Sequence, residues 1–298
     1  MPRGGILRPP MADLPAQALD TKLRELLAED VGGRDVTTEA TVPPDATGSG
    51  RLVAKSDCVV SGLAAARRVF ELLDPAIRWS PKTSPGDRVE AGATLAEVDG
   101  NARALLTAER LALNLLQRMC GIATQTRRFV DAVAGTRCRI YDTRKTAPGL
   151  RAFDREAVRD GGGVNHRDTL AAMVLIKDNH RRLAGGVGAA IAKARAFAPA
   201  GMPIEAEVES EVELREALAA GADQILIDNQ SPETVARWTA IAKQRVPAPW
   251  VEASGNMRLE TVRAYALAGP DCVSVGALTH SVRGADISFE IELELARG

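Results

Sequence analysis

Three short stretches carry most of the chemistry in this chain: Tyr141-Asp-Thr-Arg-Lys-Thr, Gly161-Gly-Gly-Val-Asn-His-Arg and Ile176-Lys-Asp-Asn-His. Two of them close short apolar runs, Cys138–Tyr141 and Met173–Ile176, with cations and hydrogen-bonding groups. Between Arg137 and Arg182 there are eleven Lys/Arg against six Asp/Glu, in a chain whose formal net charge is −1. A local cationic surplus beside strand ends and a triple glycine fits a pocket for a small polyanion. A solvated helical face would mix the two signs along its length instead. The three histidines, His166, His180 and His280, have no Asp or Glu at metal-ligand spacing, so no zinc centre is expected. Gly161–Gly163 lacks the Lys-Ser/Thr ending of a P-loop. Beside His166-Arg167, however, glycine lets backbone approach an anion closely.

Two later segments form a second anion site of a different kind. Glu252-Ala-Ser-Gly-Asn256 opens onto a helix, and Val275-Gly-Ala-Leu-Thr279 supplies small residues with free backbone N–H groups. Helix amino termini and glycine turns hold phosphate in this way. Glu205 and Glu207 sit two apart on a strand and share one face, and Asp228 ends the next strand. Carboxylates in an otherwise cationic mouth cost desolvation unless something positive faces them. Mg²⁺, held by hard oxygen ligands, is one candidate, and a substrate carbon that becomes cationic during reaction is another. Phosphate site, cation cluster and paired acids together point to chemistry at an activated sugar phosphate.

The elements that carry these groups are legible in outline. Leu19–Leu27 and Leu63–Leu72 have helical apolar spacing, and Gly50–Val60 reads as a strand. Pro85–Val98 reads as a pair of short strands around glycine turns, resembling half of a lipoyl- or biotinyl-carrier domain without its lysine. Asn101–Ala134 is a long helical region with an interruption expected at Gly121. From Cys138 the rhythm is strand, loop, helix, repeated. The strands are Cys138–Tyr141, Met173–Ile176, Ile204–Val208, Gln224–Ile227, Trp250–Ala253 and Cys272–Val275. Ser210 with Glu213 forms a capping box, Ser231-Pro232 starts a helix, and Met257–Ala268 stops at Gly269-Pro270. Such alternation implies a parallel sheet, and without a dinucleotide fingerprint a closed barrel is favoured. Every one of the six strands has polar residues at or just past its carboxyl end, where barrels gather their chemistry.

Composition narrows the partners. The chain has 298 residues, 45% hydrophobic and 26% charged, which suits roughly two soluble domains. Aromatic residues are only 3%, too few for a base-stacking surface, and near-neutral charge argues against nucleic acid. There is neither a signal-like run at the start nor an apolar stretch of membrane length, so no membrane association is expected. Cys58, Cys120, Cys138 and Cys272 show no paired spacing and read as buried thiols of a cytoplasmic protein.

The ordered motifs resemble those of the quinolinate phosphoribosyltransferases. They comprise Glu29-Asp30, Asp35-Val-Thr37, Ala108-Glu-Arg110-Leu-Ala-Leu-Asn114, Gly121-Ile-Ala-Thr124 and Asp142-Thr-Arg-Lys-Thr146 with Pro148–Arg151. They continue through Gly161–Arg167, Lys177–His180, Asp228-Asn229, Glu252–Gly255 and Gly276–Ser281. The resemblance implies a type II phosphoribosyltransferase fold. That means an N-terminal α/β sandwich and dimerisation domain over 1–125, with the tail 284–298 packed back on it, and a C-terminal α/β barrel over 126–283. It implies transfer of phosphoribosyl from phosphoribosyl pyrophosphate to quinolinate with loss of CO₂, in the presence of Mg²⁺. It further implies a homodimer or higher homo-oligomer in which Arg110 is donated across the interface.

By the same resemblance, Arg110, Arg144, Lys145, His166, Arg167 and Lys177 hold the substrate carboxylates and pyrophosphate, with Thr143 alongside. Glu207 and Asp228 engage ribose hydroxyls or Mg²⁺, and Ser254, Gly255, Asn256, Gly276 and Ala277 cradle the 5′-phosphate. Lys145, Glu207 and Asp228 are the expected catalytic groups. Arg155-Glu156, Cys120, Ala206 and Asn256 depart from the family's usual residues without removing a charged site group. Two alternatives stand beside this reading: transfer to a pyridine bearing one carboxylate, and a non-catalytic paralogue related to proteins associated with molybdate uptake.

Overall fold

The structure is a computed structural model that describes residues 16–294. They divide into two compact units, one running to Gly121 and resuming at Gly284, the other spanning Ile122–Arg283. The division falls inside a continuous helix, Ala102–Ala132. Gly121 does not interrupt that helix. A helical glycine costs only about 1 kcal/mol, and here Met119, Cys120, Ile122 and Ala123 around it are all fully buried. Packing outweighs propensity.

The first unit is built on a four-stranded antiparallel sheet in the order Ile287–Glu294, Thr47–Ala54, Thr94–Asn101, Arg78–Pro81. The returning segment Ile287–Glu294 pairs along the whole of Thr47–Ala54. Its Phe289 ring lies over Gly50, where an added Cβ would stand 2.1 Å from a ring carbon. Phe289 also stacks at 5.7 Å against Phe70, which the helix Leu63–Leu73 presents from its buried face. The single strand expected over Gly50–Val60 is two strands. Thr47–Ala54 ends at a bend, and Cys58–Val59 pairs separately with Arg88–Val89. Asp57, in that bend, accepts a hydrogen bond from the Ala91 N–H, which ties the bend to the turn after Arg88–Val89. Of the carrier-like pair, the second strand is the longer Thr94–Asn101, a full member of the main sheet.

The second unit holds six parallel strands in the order Arg139–Tyr141, Cys272–Ser274, Trp250–Ser254, Gln224–Asp228, Ile204–Val208, Val174–Ile176. All six lie within a residue of the positions that alternation predicts. Helices follow them with ordinary local causes. Ser210 caps Glu211–Ala219 by accepting from the Glu213 N–H, and Ser231 caps Pro232–Ala242, which carries proline at its start. Six parallel strands with helices after them agree with the expected α/β barrel, whose ladder has one seam. Val164 bridges to Tyr141 at one edge, and among the described residues no ladder joins it to Val174–Ile176 at the other. A buried side chain serves that seam: Arg167 Nη1 donates to the Met173 carbonyl at 3.0 Å. No helix among the described residues is long and apolar enough to cross a membrane.

Candidate active site

Parallel register decides which side chains meet at the carboxyl ends of these strands. Asp228 pairs with Ser254, and Glu207 with Leu226, so the acids of neighbouring strands face one side. Lys177 follows Val174–Ile176 and caps the short helix Asp178–Ala184; its Nζ lies 3.5 Å from Glu207 Oε2. The Asp178 N–H donates to Glu207 Oε1 at 3.2 Å. Burial raises the Glu207 carboxyl above its usual range, and Lys177 opposes that rise. Burial likewise raises Asp228, against the pull of Lys177 and Lys145. Thus Lys145, Lys177, Glu207 and Asp228 share one electrostatic neighbourhood.

The cationic loop after Arg139–Tyr141 is held by its own backbone. The Lys145 N–H donates to Thr143 Oγ1 at 3.1 Å, and the Lys145 carbonyl accepts from Thr279 Oγ1 at 2.9 Å. Lys145 is exposed, whereas Arg144 Nε is buried without a hydrogen-bond partner. Arg167 is buried at 6% exposure. Its neighbour His166 has both ring nitrogens engaged: Nδ1 accepts from the Arg167 N–H at 2.8 Å, and Nε2 lies 3.2 Å from both Glu205 and Glu252. Burial opposes a charged ring here, while the two carboxylates draw a proton toward Nε2. The Arg167 amide nevertheless marks Nδ1 as an acceptor, so the proton that these groups attract lies between Nε2 and the carboxylates.

The residues named for the 5′-phosphate sit where turns are tight. Gly255 has φ +103°, and a Cβ there would stand 2.2 Å from Asn229 Oδ1. Asn256 has φ 46°, a left-handed conformation that asparagine tolerates. Gly276 precedes the short helix Ala277–His280, and a Cβ on it would press on Lys145 and His280. Ser254 accepts the Asn229 N–H through its carbonyl at 3.0 Å. Arg110 is an exposed residue of Ala102–Ala132 and belongs to the first unit.

Several groups escaped sequence reasoning. Glu209 places a carboxylate oxygen within 4.8 Å of those of Glu207 and Asp228; the alternation Glu205, Glu207, Glu209 was the available signal. Arg181 is buried and pairs with Glu209 at 3.2 Å and Glu213 at 2.5 Å. Asp142, fully buried, accepts from the His166 N–H and Asn165 Nδ2, both at 2.6 Å, and lies 3.5 Å from Arg155. The departure at Arg155 is therefore an internal one, beneath the loop. His166 does stand among carboxylates, although no sequence spacing announced it. A cavity of about 340 Å³ lies to one side, lined by Arg167, His180 and apolar groups such as Met173 and Phe197, and it does not reach Glu207 or Asp228.

Comparison with known proteins places this arrangement. Residues 35–120 match the N-terminal domain, and 122–290 the C-terminal domain, of the family described as quinolinate phosphoribosyl transferase. The probable nicotinate-nucleotide pyrophosphorylase [carboxylating] of Bacillus subtilis is 41% identical over 91% of this chain and 92% of its own. The nicotinate-nucleotide pyrophosphorylase [carboxylating] of Mycobacterium leprae is 42% identical over 94% of this chain and its own full length. The crystal structure of NadC from Streptococcus pyogenes superposes with a TM-score of 0.89, at 38% identity, covering 95% of this chain and 99% of that one. The chain belongs to the quinolinate phosphoribosyl transferase family.

Proposed function

We propose that the protein transfers the phosphoribosyl group of phosphoribosyl pyrophosphate to quinolinate, yielding nicotinate mononucleotide, pyrophosphate and CO₂. The observation that carries this reading is the meeting of Lys145, Lys177, Glu207 and Asp228 at adjoining strand ends, in a chain of this family. The pyridine nitrogen donates its electron pair to the anomeric carbon, and the bond to pyrophosphate breaks with its pair leaving on oxygen. Glu207 and Asp228 face the ribose and stabilise positive charge as it develops on the ring. Arg144, Lys145, Arg167 and Lys177 balance the carboxylates and the departing pyrophosphate, the arginines through their planar forks. The glycosylated, cationic nitrogen then accepts electron density as the 2-carboxylate leaves, and the ring carbon takes a proton.

Mg²⁺ suits the donors present. Glu207, Glu209 and Asp228 offer hard oxygen atoms within 4.8 Å of one another, and these residues would hold it. When bound, the ion supplies charge neutralisation on the pyrophosphate. Arg110, exposed on its helix, is proposed to complete the site of a partner subunit in a homodimer or larger homo-oligomer. A reducing, cytoplasmic setting agrees with four buried free thiols.

Incubation with quinolinate, phosphoribosyl pyrophosphate and Mg²⁺ should release CO₂ and the mononucleotide in equal amounts. With nicotinate in place of quinolinate, a cation is left unpaired at a cost of roughly 3–5 kcal/mol, so turnover should fall by about two to four powers of ten. Comparable rates with the two acids would overturn the assignment of quinolinate.

A further inference from the structure

Beneath the acids of the mouth lies a buried hydrogen-bonded group that the reaction above does not use. His166 is its centre. Its backbone N–H donates to Asp142 at 2.6 Å, and its carbonyl accepts from Arg155 Nη1 at 2.8 Å. Its Nδ1 accepts from the Arg167 N–H at 2.8 Å, and its Nε2 faces Glu205 and Glu252 at 3.2 Å each. Glu252 in turn accepts from Ser274 Oγ at 2.5 Å. Glu205 is fully buried, and Glu252 and Ser274 are nearly so.

The placement of these partners is regular. Glu205 precedes Glu207 by two residues, Glu252 precedes Ser254 by two, and Ser274 precedes Gly276 by two. Two residues along a strand return to the same face. Each partner therefore stands one level below a residue of the mouth, on the strand that delivers it. An imidazole that accepts at Nδ1 and donates at Nε2 has no ring nitrogen left for a ligand. To reach a substrate carboxylate it would abandon two buried carboxylates, an arrangement that is strongly penalised.

We propose that Glu252 and Ser274 are positioning residues that lock the His166 ring beside the buried Glu205, and that His166 holds the Asp142 and Arg167 segments in place without touching substrate. The lock is assigned on geometry alone; only its kinetic consequence rests on the proposed transfer reaction. A misplaced Arg167 weakens the grip on quinolinate, because a guanidinium pairs with a carboxylate only when its fork is correctly aimed.

The chain has three histidines, so imidazole nitrogen spectra of histidine-labelled protein can be assigned with His180→Gln and His280→Gln. In the free protein the remaining ring should show the Nε2–H tautomer with slow N–H exchange. Quinolinate should leave that ring unchanged while backbone amides shift. Glu252→Leu should free the ring to exchange and raise KM for quinolinate by about ten-fold, with a smaller change in kcat. Glu252→Gln keeps an acceptor and should restore both the tautomer and most of the affinity. If Glu252→Leu fails to fold, Ser274→Ala should loosen the ring in the same direction. A ring that changes tautomer or protonation on quinolinate binding, or an Nε2 without its proton in the free protein, whether bare or metal-bound, would overturn the lock. Quinolinate that moves no amide would count against the transfer reading, and the free protein's ring would still decide the lock.

Discussion

Lys145 and Glu207 stand on different strand ends and act on opposite charges, so their removal should fail in different ways. Lys145→Ala is expected to lower kcat/KM at least about a hundred-fold, the usual loss when one preorganised charge is taken from a transition state. Glu207→Ala should cost a similar factor and leave Lys177 without its partner at 3.5 Å. Steady-state kinetics with both substrates checks each; full activity in the two variants would refute the roles assigned here. Asp142 supplies a test by pH. Burial pushes its carboxyl from the ordinary 3.8 up to about 6, against the pull of Arg155. Between those values the folded protein binds more protons than the unfolded chain, so stability falls as pH rises through the window. The loss is about 3 kcal/mol from that one group, and Asp142→Asn should flatten the denaturation midpoint over the same range. An unaltered pH profile in the variant would show that Asp142 titrates normally.

Strand ends and the turns that follow them determine where backbone can approach a phosphate. Gly255 combines φ +103° with a Cβ position 2.2 Å from Asn229 Oδ1. Gly255→Ala should destabilise the protein by about 1–3 kcal/mol and weaken phosphoribosyl pyrophosphate more than quinolinate, which a comparison of the two KM values reads directly. Asn256, at φ 46°, is the informative neighbour: its short amide side chain tolerates the left-handed backbone that this turn adopts. The helices behind these turns begin where short polar side chains predict. The split of Gly50–Val60 and the uninterrupted Ala102–Ala132 helix did not follow local preference. In the helix, burial outweighed a local penalty of about 1 kcal/mol; in the strand, pairing of Cys58–Val59 with Arg88–Val89 divided the run.

Across the full chain, the segment from Ile287 returns to pair with Thr47–Ala54 over eight residues, so the first unit is assembled from both ends of the sequence. Removing Ile287–Glu294 should uncover Phe70 and the Gly50 face and lower thermal stability or solubility markedly; retention of the full melting temperature would argue that the strand is dispensable. The proposed sharing of Arg110 between subunits has its own assay. Arg110→Ala and Lys145→Ala should each be nearly inactive alone. Mixed and allowed to exchange, they should recover about a quarter of the original activity, because half the dimers would be mixed and each would carry one intact site. No recovery after proven exchange would place Arg110 in its own subunit's site.

The sequence alone located the six strands of the second unit to within a residue, their caps, and the charged groups at their carboxyl ends. Those features depend on neighbours a few positions away: alternation within a strand, a serine before a helix, a glycine at a turn. It also carried the family resemblance, since that rests on ordered motifs and not on contacts. Tertiary structure decided which acids share a face, that Glu209 joins Glu207 and Asp228, and that Glu205 and Glu252 meet on His166. It decided, too, that the barrel's seam falls beside Val164 and that Arg155 lies buried against Asp142. These outcomes depend on strand register and on desolvation between residues tens of positions apart, and no local pattern encodes either.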